Sequence, residues 1–440
     1  MSYFHQLGSL VDRLWKEKHH DERAFPQVAM SALAELPPSS HVSFRDAVLF
    51  GLTDPLPAQS DLAAEFGQPP LTVYSAEGFR IEVLFWLHVL PSIHQHGFSG
   101  AFHVMHGTTL HATWQFDQKE RITAGLLTGK LRLTEVELLR QGDTRPIFSG
   151  KELIHATYHL QQPTVSVVVR TVKEFDRLPQ YSYFPPTIAI DPDESRPCVV
   201  RRCQILTMLL NLGKRGEFLD AIQHLMATSD PSAAFQYLLQ ANTAVKDPNL
   251  LHEILAAARV KHARLVEEAE PALAYLRRQA RLENMKSRIT DPDLQFFLGV
   301  LLSVPDRELA LAALRQQYPS GDPVALFTGL TNRLSNLGLL GFRFNDTWSF
   351  MLTCLMRDIS SSCEIQRQFA GRYGEIAAQN NAAGIVEMTR MLTGFWMFAP
   401  YFQPFHAEGA ERSASRGAAS SAGLPWLRDK QADSLPAGLP

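Results

Sequence analysis

Between Leu71 and Glu174 the chain breaks into short β-rich runs separated by turn residues, and no other feature restricts its fold as much. The runs are LTVY, FRIEVLFWLHVL, GAFHVMHG, TLHATWQF, RITAGLLTGKLRLTEVELL, ELIHATYHL and TVSVVVRTV. Many short strands at near-regular spacing predict a sandwich or a barrel. Upstream, residues 3 to about 53 space their apolar side chains three and four apart in LGSLVDRLW and SFRDAVLFGL, the latter after a Ser43 cap. That is helical periodicity, so helices precede the barrel.

Downstream the character changes again. PQYSYFPPTIAIDPDESRP, from Pro179 to Pro197, holds five prolines and supports neither a long helix nor a central strand. A domain boundary is expected there. Beyond it the pattern is helical, and Asp230-Pro231, Asp247-Pro248, Asp291-Pro292 and Asp322-Pro323 each offer an N-cap acceptor with a proline in the first turn. The expected organisation is an α+β multidomain chain: a helical preface over 1–60, a β-barrel over 61–176, a proline-rich linker over 177–198, an all-α domain over 199–406 and a disordered tail over 407–440. The tail is small, polar and proline-bearing, with too little apolar surface to offset the entropy of ordering it.

With a formal charge of -3, the chain has no basic footprint for nucleic acid. Its start mixes both charge signs and lacks a secretory pattern, and VLFWLHVLP and FFLGVLLSV are far shorter than the roughly 20 residues of a membrane span. Cys198, Cys203, Cys354 and Cys363 form no CxxC pair, so neither a disulfide scaffold nor a cysteine zinc site is indicated. A cytoplasmic location is expected, with no nucleic-acid or membrane partner. The helical domain leaves room for a homodimer contact or a protein partner.

Eight of the 16 histidines fall between His88 and His159, which turns attention to that span. His94 and His96 stand one residue apart, so on a strand they point the same way, and two imidazoles one pleat apart can hold one ion. His155, on a later strand after a Gly150 turn, can supply a third nitrogen, with His159 on the same face. His159 is a candidate fourth ligand or outer support. His103 has the opposite parity, and His106 and His111 flank the turn at Gly107.

This pattern resembles the cupin superfamily, whose first motif is HxH with an acid about four residues on and a glycine at the hairpin, and whose second motif adds one histidine. His94, His96 and Gly107 match the first and His155 the second, while the acid's place falls at Gly100 or Ala101. Three-histidine cupins without the acid resemble the thiol dioxygenases of the cysteine dioxygenase type, which also carry a helical preface. The resemblance spans about residues 1–175. It implies a jelly-roll barrel and a mononuclear iron site.

In that pattern the last strand carries Ser, His and Tyr in alternation; here the places hold Ser166, Val168 and Arg170. Ala101 stands where some members have a crosslinking cysteine. Free cysteine is therefore an unpromising substrate.

Arg80 and Arg170 could hold an anion with a guanidinium fork, and Trp86, Tyr158 and Ser166 complete the substrate-binding candidates. No catalytic residue is assigned. The aromatic and methionine-rich run MTRMLTGFWMFAPYF is read as helical core.

The leading expectation is a non-haem iron oxygenase acting with O₂ on a small molecule, a thiol, amino acid or other carboxylate, with Fe(II) as cofactor and Zn, Ni, Mn or Cu also suited to the ligands. The alternatives are a non-catalytic metal- or small-molecule-binding module signalling through its helices, or a metal-dependent isomerase or hydrolase.

Overall fold

A computed structural model describes residues 3–53, 55–59, 67–87, 92–172, 174, 179–192 and 196–402. His88 and the expected disordered tail lie outside the described residues, as does part of the proline-rich segment. The chain divides into two compact units, 1–321 and 322–440.

Unit one opens with helices α1 (Tyr3–Lys16), α2 (Phe25–Glu35), α3 (Pro38–His41) and α4 (Phe44–Thr53). Ser43 caps α4 reciprocally, its Oγ accepting from Asp46 N at 3.1 Å while Asp46 Oδ2 accepts from Ser43 N at 3.1 Å. Then come β1 (Pro70–Ser75), β2 (Phe79–Trp86), β3 (Ile93–Gln95), β4 (Gly100–His106), β5 (Thr108–Thr123), β6 (Leu126–Arg140), β7 (Thr144–Ile147), β8 (Ile154–His159), β9 (Thr164–Thr171), β10 (Ser182–Phe184) and β11 (Ile188–Ile190).

Five strands make a sheet in the order β1-β2-β9-β4-β7, and six close an antiparallel barrel in the order β10-β11-β6-β5-β8-β3. Strand alternation sorts the sheet's two faces. Phe79, Ile81, Val83, Ala101, Met105, Val165, Val167 and Val169 pack against Phe4, Leu7, Val11, Phe25, Ala29 and Leu33 of the preface helices. On the opposite face Phe102, Val104 and Val168 meet Leu139 of the barrel. The preface thus shields one face of the sheet, and the other is left to line an interior.

His103 shows what the cover does to a polar group. It is fully buried on the helix-facing side of β4, with Nδ1 2.8 Å from Thr144 Oγ1, Nε2 2.9 Å from Ser39 Oγ, and Ser39 N donating to Nε2 at 3.3 Å. Burial pushes its pKa down to about 4, with Asp143 pulling weakly the other way. In the unfolded chain the ring titrates near 6.5, so between about 6.5 and 4 the unfolded state holds more protons than the folded state. Stability therefore falls as pH drops through that window, by up to about 1.4 kcal/mol per unit, and levels off below it. His103→Gln should flatten this slope, which urea titrations at pH 7.5, 6, 5 and 4 would measure; an unchanged slope would put the proton elsewhere.

The proline-rich segment corrects the expectation of a linker. It supplies β10 and β11, which fill the gap between β6 and β3 and close the barrel. Prolines exclude a long central strand, but Pro185 and Pro186 sit in the tight turn between two three-residue strands, where their missing N–H groups cost little. The carbonyls of Pro186 and Thr187 accept from Leu131 N at 2.8 Å and Gly129 N at 2.9 Å.

The helices that follow are α5 (Pro197–Asn211), α6 (Arg215–Thr228), α7 (Pro231–Ala244), α8 (Pro248–Lys286), α9 (Pro292–Ser303) and α10 (Arg307–Gln317). They belong to the barrel's unit, which is the second correction: the division falls after Gly321, not within 177–198. The apolar cluster of α5–α8 includes Leu126, Ile188 and Ile190 of the barrel, so the two share one core. Gln316 adds a polar clamp, its Oε1 accepting from Leu138 N at 2.7 Å and its Nε2 donating to Val136 O at 3.0 Å. All four Asp-Pro pairs start helices as expected, Asp230, Asp247, Asp291 and Asp322 each accepting from a first-turn backbone N–H.

Unit two contains α11 (Pro323–Asn336), α12 (Asp346–Met356), α13 (Ser362–Tyr373), α14 (Glu375–Asn380) and α15 (Ala382–Gly394). The aromatic run is core, as its spacing implied: Met397 and Phe398 are buried, and Phe398 packs on Phe327 at 5.8 Å. Among the described residues no helix is long and apolar enough to cross a membrane.

Candidate metal centre

His94 lies directly across from His155 in the β3–β8 pair, and β10 holds the other edge of β3 with Ser182 opposite His94. Gln95 secures that short strand: its N donates to Tyr181 O at 3.1 Å, its Nε2 to Pro179 O at 2.7 Å, and its Oε1 accepts from Tyr183 Oη at 2.6 Å. His96 continues beyond β3 as a bridge to Ser149, with Gly150 N donating to its carbonyl at 2.7 Å. Alternation turns Gln95 one way and both histidines the other.

His94, His96 and His155 form the candidate metal group, one nitrogen of each lying within 4.8 Å of the others. Their ring centroids are 4.6 to 4.9 Å apart, at interplanar angles of 60 to 89°. Nε2 of His96 and Nε2 of His155 approach to 2.8 Å. Two imidazoles bound cis to one ion at ~2.1 Å hold their nitrogens about 3 Å apart, so this spacing fits a shared ion.

The electrostatics favour lone pairs. The rings are 4 to 8% exposed, and burial lowers all three pKa values. For His96 the charges of His94 and Arg170 lower it further; for His155 those of His96, His94 and His111 do. His94 Nδ1 is 2.9 Å from Ser92 O and must donate to it, which leaves Nε2 as a lone pair.

Behind His155 stands a chain that sequence reasoning missed. His155 Nδ1 is 2.9 Å from His111 Nε2, and His111 Nδ1 is 3.1 Å from Glu137 Oε1. Arg145 Nε donates to Glu137 Oε2 at 2.8 Å, and its Nη2 reaches the same oxygen. The hydrogen bond from His111 and, after it, Arg145 outweigh burial and hold the Glu137 carboxyl down at about 2. The sequence places His111 only as flanking the Gly107 turn. Counting back from the Thr123–Leu126 pair places it opposite Leu138, but three irregularities in the β5–β6 ladder shift the register by one and bring Glu137 there. Such a shift flips a strand's faces and has no signature in composition.

The other candidates stand apart from the cluster. His159, four residues along β8 and so about 13 Å from His155 along the strand, stacks on Trp86 at 4.5 Å, and burial pushes its pKa down to about 3. It is outside the metal group, and His111 holds the supporting place expected of it. Trp86 Nε1 donates to Ser166 Oγ at 2.8 Å, so these two satisfy each other. Tyr158 points out of the barrel: its hydroxyl donates to Glu283 at 3.3 Å, Lys286 lies 4.6 Å over its ring, and Gly299 of α9 leaves it room.

Arg170 does face the interior, over Phe98 at 4.5 Å, whose ring is 4.5 Å from His96. Its fork is already filled. Arg170 donates to Glu82 through Nε at 2.7 Å and Nη2 at 2.9 Å, and Arg80 lies 3.8 Å from the same carboxylate. Glu82→Ala should therefore cost about 2–3 kcal/mol, less than the ~3–5 of a fully buried pair because both guanidiniums keep some water contact. Urea unfolding should show most of that loss recovered in Glu82→Leu/Arg170→Met. A variant Glu82→Ala as stable as the parent would instead mean that the arginines do not depend on this carboxylate and can serve a ligand.

A closed six-stranded antiparallel barrel with a buried three-histidine cluster is compatible with a cupin-like fold and with metal binding. No protein-family model matches the chain, and no curated protein matches it either.

Proposed function

We propose that this protein is a mononuclear metal-dependent oxygenase of cupin type, with Fe(II) held by His94, His96 and His155. The observation that carries the reading is the convergence of three buried imidazoles, each offering a nitrogen within 4.8 Å of the other two. Bound there, ferrous iron would supply redox chemistry and open positions for a substrate donor and O₂.

The chain's own residues then have defined tasks. The His94 and His155 rings are held by hydrogen bonds through Nδ1, which leaves Nε2 of each as the atom to offer a metal. Phe98 packs on His96, and Phe102 lies 5.5 Å from His111 and 6.2 Å from His155, so aromatic carbon limits water around the cluster. Because Glu82 occupies Arg170, the substrate's charge is not what the interior selects. A small thiol or weakly charged organic molecule fits this better than an amino acid bound through its carboxylate.

Oxygen uptake by the iron-loaded protein over a panel of thiols and small acids tests the proposal. Uptake is expected with at least one non-cysteine compound, little with free cysteine, and none in His155→Ala. Stoichiometric metal uptake without oxygen consumption across the panel would reject the oxygenase and favour a binding module.

A further inference from the structure

The chain His155–His111–Glu137 crosses the adjacent barrel strands β8, β5 and β6, then passes to the partly exposed Arg145 on β7 of the five-stranded sheet, and its hydrogens can be placed from Glu137. An ionised carboxylate only accepts, so the hydrogen between His111 and Glu137 belongs to His111 Nδ1. An imidazole with its hydrogen on Nδ1 has a lone pair on Nε2, so His111 accepts from His155 Nδ1. His155 then has its own lone pair on Nε2, the atom 2.8 Å from His96 Nε2. Reversing the chain would place a hydrogen on that atom and remove it as a ligand.

We propose that Glu137, acting through His111, sets the tautomer and orientation of His155 and so makes its Nε2 a metal ligand. The inference rests on the three-histidine reading of the site. Glu137 and His111 are positioning residues. Arg145 keeps the carboxylate in place from the surface side, and Gln316 does so through the backbone, bonding Val136 O and Leu138 N on either side of Glu137. Helix α10 thereby steadies a residue one imidazole removed from the cluster.

The full-length protein, with ¹⁵N-labelled histidine, allows the tautomer of His155 to be read by NMR without metal, and cobalt(II) titration measures affinity separately. In the parent, His155 should have its hydrogen on Nδ1. In Glu137→Ala, the tautomers should mix and cobalt should bind about 10–100-fold more weakly. His111→Phe should do the same. His111→Gln should restore both, because an amide oxygen can accept from His155 while its NH₂ donates to Glu137.

If Glu137→Ala and His111→Phe leave both the His155 tautomer and cobalt affinity at parent values, the inference is overturned while the metal site stands. If the parent binds no cobalt, the metal reading fails, and the NMR measurement alone still decides whether Glu137 controls the tautomer.

Discussion

Replacing His94, His96 or His155 by Ala should each abolish stoichiometric retention of a divalent metal. The expected loss exceeds the ~10–100-fold typical of changes to groups behind a ligand, because a donor atom itself disappears. With three protein nitrogens at the centre, two are left, and no carboxylate belongs to the metal group among the described residues. Metal analysis after dialysis, together with cobalt(II) titration, provides the measurement. His159→Ala is the internal control: its ring stacks on Trp86 outside the group, so metal content should stay at the parent level. Full occupancy in all three ligand variants would remove the site. Full occupancy in His94→Ala alone would leave a centre built on His96 and His155, the pair already at 2.8 Å.

The division between what the sequence revealed and what it concealed follows physical lines. Local rules were legible. Alternation located the main strands, and Asp-Pro pairs located helix starts, because a cap is made within a few residues of itself. The HxH pair and His155 were legible because two candidate ligands stand two residues apart in one extended segment and the third follows a turn. Non-local facts were not. The proline-rich segment reads as a linker because nothing within it reveals that β3 and β6 each need a partner. The pairing of His111 with Glu137 depends on bulges, and Gln316 reaches β6 across more than 170 residues. Arg170 shows the same limit: its inward direction could be read by parity, but its occupancy by Glu82 depends on strand β2 lying beside β9.

These non-local contacts also explain how so short a strand can position two candidate ligands, His94 within it and His96 just past its end. β3 has three residues, too few to fix its own register. Its register comes from both neighbours: β8 sets His94 opposite His155, and β10 with the Gln95 amide network fixes the other edge. The proline-rich segment is therefore part of the site's scaffold, and cleavage there should disturb metal binding before it separates any domain.

Gly100→Ala should destabilise unit one by about 3 kcal/mol or more, at the upper end of what overpacking costs. Gly100 sits where β4 runs against β9, opposite Arg170, and a Cβ built on it would lie 2.1 Å from Val169 O and 2.8 Å from Arg170 Cα. Both are backbone atoms, so no rotamer change relieves the contact and the strands must part. The same geometry bears on an acid at either of the two places where the cupin pattern would have one. A carboxylate at residue 100 would have to begin from that Cβ, while Ala101 is fully buried against the preface helices and turns away from the histidines. A charge placed there would meet apolar side chains with no partner. Gly100→Glu and Ala101→Glu should thus both unfold more readily than Gly100→Ala without adding a ligand, as urea midpoints and metal content would show. A stable Gly100→Glu protein with higher metal affinity would mean that β4 can move away from β9, and that the three-nitrogen centre is not imposed by strand spacing.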